Sequence, residues 1–118
     1  MLLKVAFTMY PVTDWKRARA FYGDTLGLKQ GSASENGMWT EYDLPGGGCL
    51  ALFAGPDAKP GGGASIALEV ESLDALLPVL KEKGVEIKHE MIHSPVCRMS
   101  IINDSEGNSI ILHELKKK

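Results

Sequence analysis

YPVTDWKRARAFYGDTLGL, Tyr10 to Leu28, carries a helix with both of its ends marked. Thr13 or Asp14 offers a side-chain oxygen to the first free N–H groups of that helix. Trp15, Ala18, Phe21, Tyr22 and Leu26 recur at helical spacing along one face, and Lys16, Arg17, Arg19 and Asp24 fall on the other. Gly27 tolerates the left-handed conformation that ends many helices, so Leu28 leaves in a new direction. The stretch therefore predicts a strand-to-helix-to-strand hinge.

The same design returns in weaker form further along. Val12-Thr13-Asp14-Trp15 is echoed by Val70-Glu71-Ser72-Leu73, and Leu26-Gly27-Leu28 by Lys83-Gly84-Val85. Val12 and Val70 stand 58 positions apart, and Gly27 and Gly84 stand 57 apart, so the offset is nearly constant across the unit. Two copies of one module would fill the chain, and neither copy alone would bury much apolar surface.

The 118 residues make one ordinary domain by length. Thirteen basic and fifteen acidic residues give a formal charge of −2, with both signs interspersed apart from the tail Lys116-Lys117-Lys118. Neither a nucleic-acid nor a membrane-surface role is indicated by that balance. No apolar run approaches the roughly 20 residues of a membrane helix, and MLLKVAFTMY alternates like a strand instead of forming a signal peptide's apolar block. The expectation is a soluble, cytoplasmic protein. Cys49 and Cys97 lack any CxxC or histidine-linked spacing, so both are expected as buried thiols without zinc or a disulfide.

In chain order, Leu3 to Tyr10 alternates as a strand, with Leu3, Val5, Phe7 and Met9 on one face. After the helix, Lys29 to Glu35 reads as a strand turning at Asn36-Gly37 into a second, Met38 to Leu44, on which Trp39, Glu41 and Asp43 share a face. Pro45 to Gly48 turns into the apolar strand Cys49 to Ala54. Residues 55–63, GPDAKPGGG, form a linker between modules 1–54 and 64–115 of one domain, because proline and glycine disfavour both regular structures. Beyond it come a strand at Ser65 to Val70, a helix from Ser72 to Lys83 in which Pro78 is expected to kink or delay the start, and a strand at Val85 to Glu90. A loop at His93 to Val96 and strands at Arg98 to Asn103 and Ser109 to Leu115, joined by Asp104 to Asn108, complete the order βαβββ, linker, βαβββ.

Three features together resemble the vicinal oxygen chelate superfamily of glyoxalases, bleomycin-resistance proteins and extradiol dioxygenases. They are V-x-D followed by A-x-x-F-Y-x-x-x-L-G-L at Val12 to Leu28, the duplicated βαβββ order, and D-x-x-G-N at Asp104 to Asn108 before a final apolar strand. The resemblance implies an α+β fold in which two βαβββ modules form a curved mixed sheet around a cleft, with the helices outside. It also implies a homodimer, since exposed sheet edges invite a two-fold partner.

Metal-dependent members of that family place ligands on the first and last strands of each module. The resemblance lays those positions on Phe7, Ala51, Ser65 and Ile111, of which only Ser65 has a side-chain oxygen. A shift of two would bring His113 to the last position, whereas a shift of one would reverse the face. The chemistry is thus expected to be gone and the cleft kept, with no cofactor, as in members that bind a small apolar or aromatic molecule unchanged.

The expected ligand-binding residues are Phe7, Met9, Trp39, Glu41, Cys49, Ala51, Phe53, Ser65, Ala67, Glu69, Arg98, Ile111 and His113. Other readings stand beside this one. Large residues such as Phe7 would simply fill the cleft, Arg98 would pair with a carboxylate, and Trp39 would pack on the first helix. An enzyme reading, with a metal-dependent lyase, isomerase or dioxygenase using displaced ligands, calls on His113, Glu69 or Glu41. Gly46 to Gly48 and Gly61 to Gly63 lack a P-loop's lysine and setting and read as flexible turns.

Overall fold

The computed structural model describes every residue except Leu2, Lys4, Asp57, Gly63, Ala64, Lys117 and Lys118. Parts of the expected first strand, the linker and the basic tail therefore lie outside the described residues. The chain divides into two compact units, residues 1–60 and 61–118. Among the described residues, no helix is long and apolar enough to cross a membrane.

The first unit runs β1 (Thr8–Pro11), α1 (Trp15–Arg19) continuing into a π-helical segment (Ala20–Thr25), β2 (Lys29–Ala33), β3 (Trp39–Asp43) and β4 (Cys49–Phe53). The second runs β5 (Ile66–Glu69), α2 (Leu73–Glu82), β6 (Ile87–His93), β7 (Cys97–Asn103) and β8 (Ser109–Leu115). The sheets have the orders β1-β4-β3-β2 and β5-β8-β7-β6. In each, the first and last strands of the module pair in parallel and the remaining pairs are antiparallel. This is an α+β fold of two βαβββ modules, each a four-stranded mixed sheet.

The two modules are built by the same local devices. The Asp14 carboxylate accepts the Arg17 N–H at 3.1 Å and the Ser72 hydroxyl accepts the Ala75 N–H at 3.1 Å, so each helix starts on a side-chain cap. Gly27 at φ 74° and Gly84 at φ 80° end them in the left-handed region. The strand registers repeat as well: Met9 pairs with Ala51 and Ala67 with Ile111, a shift of 58 on the first strands and 60 on the last. The hairpin bond from Leu44 N–H to the Gly48 carbonyl recurs from Asp104 to Asn108.

The offset that falls from 58 at the helix starts to 57 at their ends has a structural cause. The first helix holds one more residue than the second, and that residue is taken up by the π turn, in which Leu26 N–H reaches the Phe21 carbonyl across five residues at 2.9 Å. The expected uniform α-helix is corrected accordingly. Tyr10, Val12, Ala18, Phe21, Tyr22, Tyr42, Leu50 and Leu52 bury the helix side of the first sheet. Leu73, Leu77, Leu80, Ile102, Ile110 and Leu112 do so in the second, each such large apolar side chain contributing about 1.5–3 kcal/mol.

Several expectations need correction. The first strand begins at Thr8 instead of Leu3, because β1 has a ladder partner only along β4, which itself starts at Cys49 after the glycine turn. Trp15 is only half-buried: Arg19 lies 4.5 Å over its ring, and the ring packs so close to Gly37 that a side chain there would collide with it. Pro78 does not delay α2, which starts at Leu73 and continues through Pro78 to Glu82. Pro78 and Asp74 are both exposed, so the carbonyl deprived of its donor is left on the wet side. His93, expected to open a loop, instead ends β6, which carries two register irregularities, between Ile87 and His89 and between His89 and Ile92.

Asp104 to Asn108 is a buried polar knot. Asp104 accepts the backbone N–H groups of Glu106 and Asn108, both at 2.8 Å, and the Asn108 side-chain N–H at 3.0 Å. Asn108 in turn accepts the Gly61 N–H at 2.8 Å, which ties the start of the second unit to its last hairpin.

Candidate functional site

Each sheet has one face against its helix and one face free of it. In the first unit, Thr40 accepts a bond from Arg19 Nε at 2.7 Å and Tyr42 lies 6.0 Å from the Tyr22 ring, so even positions of β3 face the helix. Trp39, Glu41 and Asp43 therefore stand on the opposite face. The registers add Met9 and Ala51 beside Glu41, Phe53 beside Trp39 and Cys49 beside Asp43. Trp39 thus does not pack on the first helix.

An aromatic set forms on this face. The Phe7 ring meets Trp39 edge-on, with centroids 5.3 Å apart at 87°, and Phe53 lies 6.5 Å from Trp39 at 59°. Phe7 comes from the β1 side and Trp39 from β3, so their rings approach each other across β4, where Ala51 is fully buried. Phe7 and Met9 remain 46% and 45% exposed, large apolar groups left open to a partner or ligand.

Glu41 is bound into that set. Its Oε2 accepts the Trp39 indole N–H at 2.6 Å, and the Cys49 thiol approaches Oε1 at 3.9 Å. Burial pushes the Cys49 thiol up, and the negative charges of Glu41 and Asp43 push it further, so the thiol keeps its proton and serves as a donor. Of the two thiols expected to be buried, Cys97 is 6% exposed while Cys49 is only half-buried.

In the second unit, Ala67 pairs with Ile111 and Glu69 with His113, which puts these four on one face of neighbouring strands. Met99 and Ile101 pair with His113 and Ile111 and extend the same face, although sequence reasoning did not select them. Their signal was the β7 alternation, legible only once its register on β8 is known. Ser65 is exposed, just ahead of β5.

Arg98 does not belong to this face. It pairs with Glu114, one position out of phase with His113, and its guanidinium reaches Asp74 on α2 at 3.2 Å and Glu114 at 2.8 Å. Asp74 and Glu114 hold it firmly charged, and the assignment to the ligand-binding residues is corrected to an ion pair on the helix side.

The residues do not fit a divalent ion at the positions the resemblance assigns. Phe7 lies against Trp39, Ala51 and Ile111 have no donor atoms, and Ser65 supplies only a neutral hydroxyl. Among the described residues, no three or more His, Cys, Asp or Glu side chains are grouped to hold a metal.

Comparison with known proteins agrees with this architecture. The chain is similar to the antibiotic binding protein TnmS3 from Streptomyces sp. CB03234, at 25% identity and a TM-score of 0.84 over 98% of both chains. A member of the glyoxalase/bleomycin resistance protein/dioxygenase superfamily from Sphaerobacter thermophilus DSM 20745 is 28% identical, with a TM-score of 0.84 over 97% of this chain and 98% of that one. A glyoxalase/bleomycin resistance protein from Streptomyces sp. CB03234 is 27% identical, with a TM-score of 0.77 over 92% and 98% of the two chains. No curated protein matches the sequence. The family model for these proteins matches residues 4–112, nearly the whole of both modules, and the chain belongs to the Glyoxalase/Bleomycin resistance protein/Dioxygenase superfamily.

Proposed function

We propose that this protein binds a small apolar or aromatic molecule on the helix-free faces of its sheets, without a metal and without changing the ligand, and that it works as a homodimer. The observation that carries the reading is the aromatic set of Phe7, Trp39 and Phe53, gathered on the sheet face turned away from the first unit's own helix. Rings held at different angles give a planar ligand both faces and edges to pack against. That one similar protein is named an antibiotic binding protein supports a binding role. The edge strands and the exposed row of Leu3, Val5, Phe7 and Met9 support a two-fold partner.

The test combines metal analysis with ligand screening. Tag-free protein is assayed by mass spectrometry before and after incubation with nickel, zinc, manganese or iron, and its thermal unfolding is followed with a panel of planar aromatic compounds. The expected result is no stoichiometric metal and a raised Tm with some aromatics, lost in Trp39→Ala. One metal per chain, lost in His113→Ala, would instead establish the displaced-ligand enzyme, whose nearest donors are the cross-strand partners Glu69 and His113.

A further inference from the structure

We infer that the ligand carries a positively charged nitrogen on its apolar or aromatic body, an organic ammonium, and that Glu41 selects it. This deepens the proposed function and rests on the reading of the helix-free face of the first unit as ligand-binding.

Glu41 is a half-buried carboxylate, and both groups that touch it are neutral: the Trp39 indole N–H and the Cys49 thiol. Among the described residues Glu41 makes no ion pair; Arg98 is taken by Asp74 and Glu114, and Lys81 by Glu90. Arg19, a cation of the same unit, is engaged on the other face of β3, with Thr40 and Trp15. Among the described residues, the carboxylate is thus half-buried with no counter-cation in contact, an arrangement that a cationic ligand would complete. A carboxylate has about four acceptor positions, and two neutral donors leave room for more.

The surroundings supply the second half of a cation site. The Trp39 N–H lies in the indole plane and points to the carboxylate, so the ring meets the anion by its edge and turns its electron-rich faces to either side of that contact. Phe7 and Phe53 flank that indole at 5.3 and 6.5 Å, and aromatic faces next to a carboxylate hold an organic ammonium by cation–π attraction and charge together. Asp43 lies one pleat along the same strand face, opposite its cross-strand partner Lys29, which leaves Glu41 as the carboxylate nearest the rings. A neutral ligand would leave Glu41 uncompensated, and an anionic one would be repelled by it.

The experiment titrates the full chain with three probes of one shape: benzyltrimethylammonium, its uncharged carbon isostere neopentylbenzene, and the anion phenylmethanesulfonate. Binding is read from the Trp39 indole N–H resonance, assigned by its loss in Trp39→Phe. The expected order is the ammonium about tenfold tighter than the neutral isostere, the anion weakest, and a preference that shrinks as salt is added. In Glu41→Gln, which keeps an acceptor for Trp39, the ratio of ammonium to neutral affinity falls to about one. Equal affinities in the parent protein, or a preference that survives Glu41→Gln, would overturn the inference while leaving small-molecule binding standing. Failure of all three probes to shift Trp39 would overturn both. The comparison of probes in the parent protein decides the matter even if the variant does not fold.

Discussion

Glu114 and Arg98 are direct cross-strand partners on β8 and β7, and the Glu114 carboxylate joins the second sheet to the start of α2. Its Oε2 accepts from Arg98 Nε at 2.9 Å, and its Oε1 accepts the Leu73 N–H, one of the helix's unpaired first donors, at 2.7 Å. The backbone donor and the Arg98 guanidinium together hold the Glu114 carboxyl below the usual carboxylate range. A group whose folded pKa is lowered adds stability above its unfolded value and loses it as pH falls through the folded value. Glu114→Gln is therefore expected to lower Tm at neutral pH, with the gap to the parent shrinking as pH drops below 4.5. Thermal unfolding of both proteins across that range checks it, and a gap that stays constant into acid would refute the charge argument.

Asn108 is 4% exposed and serves two partners, donating to Asp104 and accepting from Gly61. Asn108→Ala removes a donor from the buried Asp104 carboxylate and the acceptor of the Gly61 N–H, a loss of about 1–3 kcal/mol by urea denaturation. Asn108→Asp is expected to cost more at neutral pH, because it sets a second carboxylate where an amide now donates to Asp104 at 3.0 Å. Protonation removes that repulsion, so the aspartate variant should recover part of its deficit in acid while the alanine variant does not.

Gly37 and Gly84 form a matched pair. Their φ angles are 79° and 80°, so an alanine meets the same backbone strain, about 1–2 kcal/mol, at either position. Around Gly84 a Cβ would find open space, whereas at Gly37 it would lie 2.1 Å from the Trp15 ring. Gly37→Ala should therefore destabilise clearly more than Gly84→Ala, and the excess should vanish when Trp15→Ala is added. A double-mutant cycle by denaturant unfolding measures that coupling, and an excess that persists without the ring would exclude Trp15 as its cause.

The helix-free face of the first sheet was legible because β3 alternates cleanly: Thr40 and Tyr42 turn to the helix, and Trp39, Glu41 and Asp43 turn away. Arg98 was misread because β7 offers no such contrast. Met99 and Ile101 on one side and Ile102 on the other are all apolar, so only the register on β8 decides which side Arg98 takes. The length of β1 depended on where β4 begins, a property of the partner strand that alternation within MLLKVAFTMY does not contain. The extension of β6 to His93 was not legible because the register irregularities of that strand break the period of two. What Glu41 touches is a matter of side-chain direction; parity could place it beside Trp39 but not bond it there.

The π turn in the first helix yields the last prediction. The second module covers the path from Ser72 to Gly84 with one residue fewer than the first uses from Asp14 to Gly27, and it has no π segment. Deleting Gly23 would turn the Leu26-to-Phe21 bond, which now spans five residues, into an ordinary α-helical bond across four. The bond from Leu28 N–H to the Tyr22 carbonyl would shorten to a span of five, the span of Val85 to Leu80 in the second module. The deletion is therefore expected to fold cooperatively with a Tm within about 5 °C of the parent. Deleting Leu76 from α2, where no extra residue exists to be absorbed, should abolish cooperative unfolding by rotating Leu77 and Leu80 off the buried face. Should both deletions unfold the protein, the π turn would be a requirement of how Phe21 and Tyr22 pack, and not merely the place where an inserted residue is accommodated.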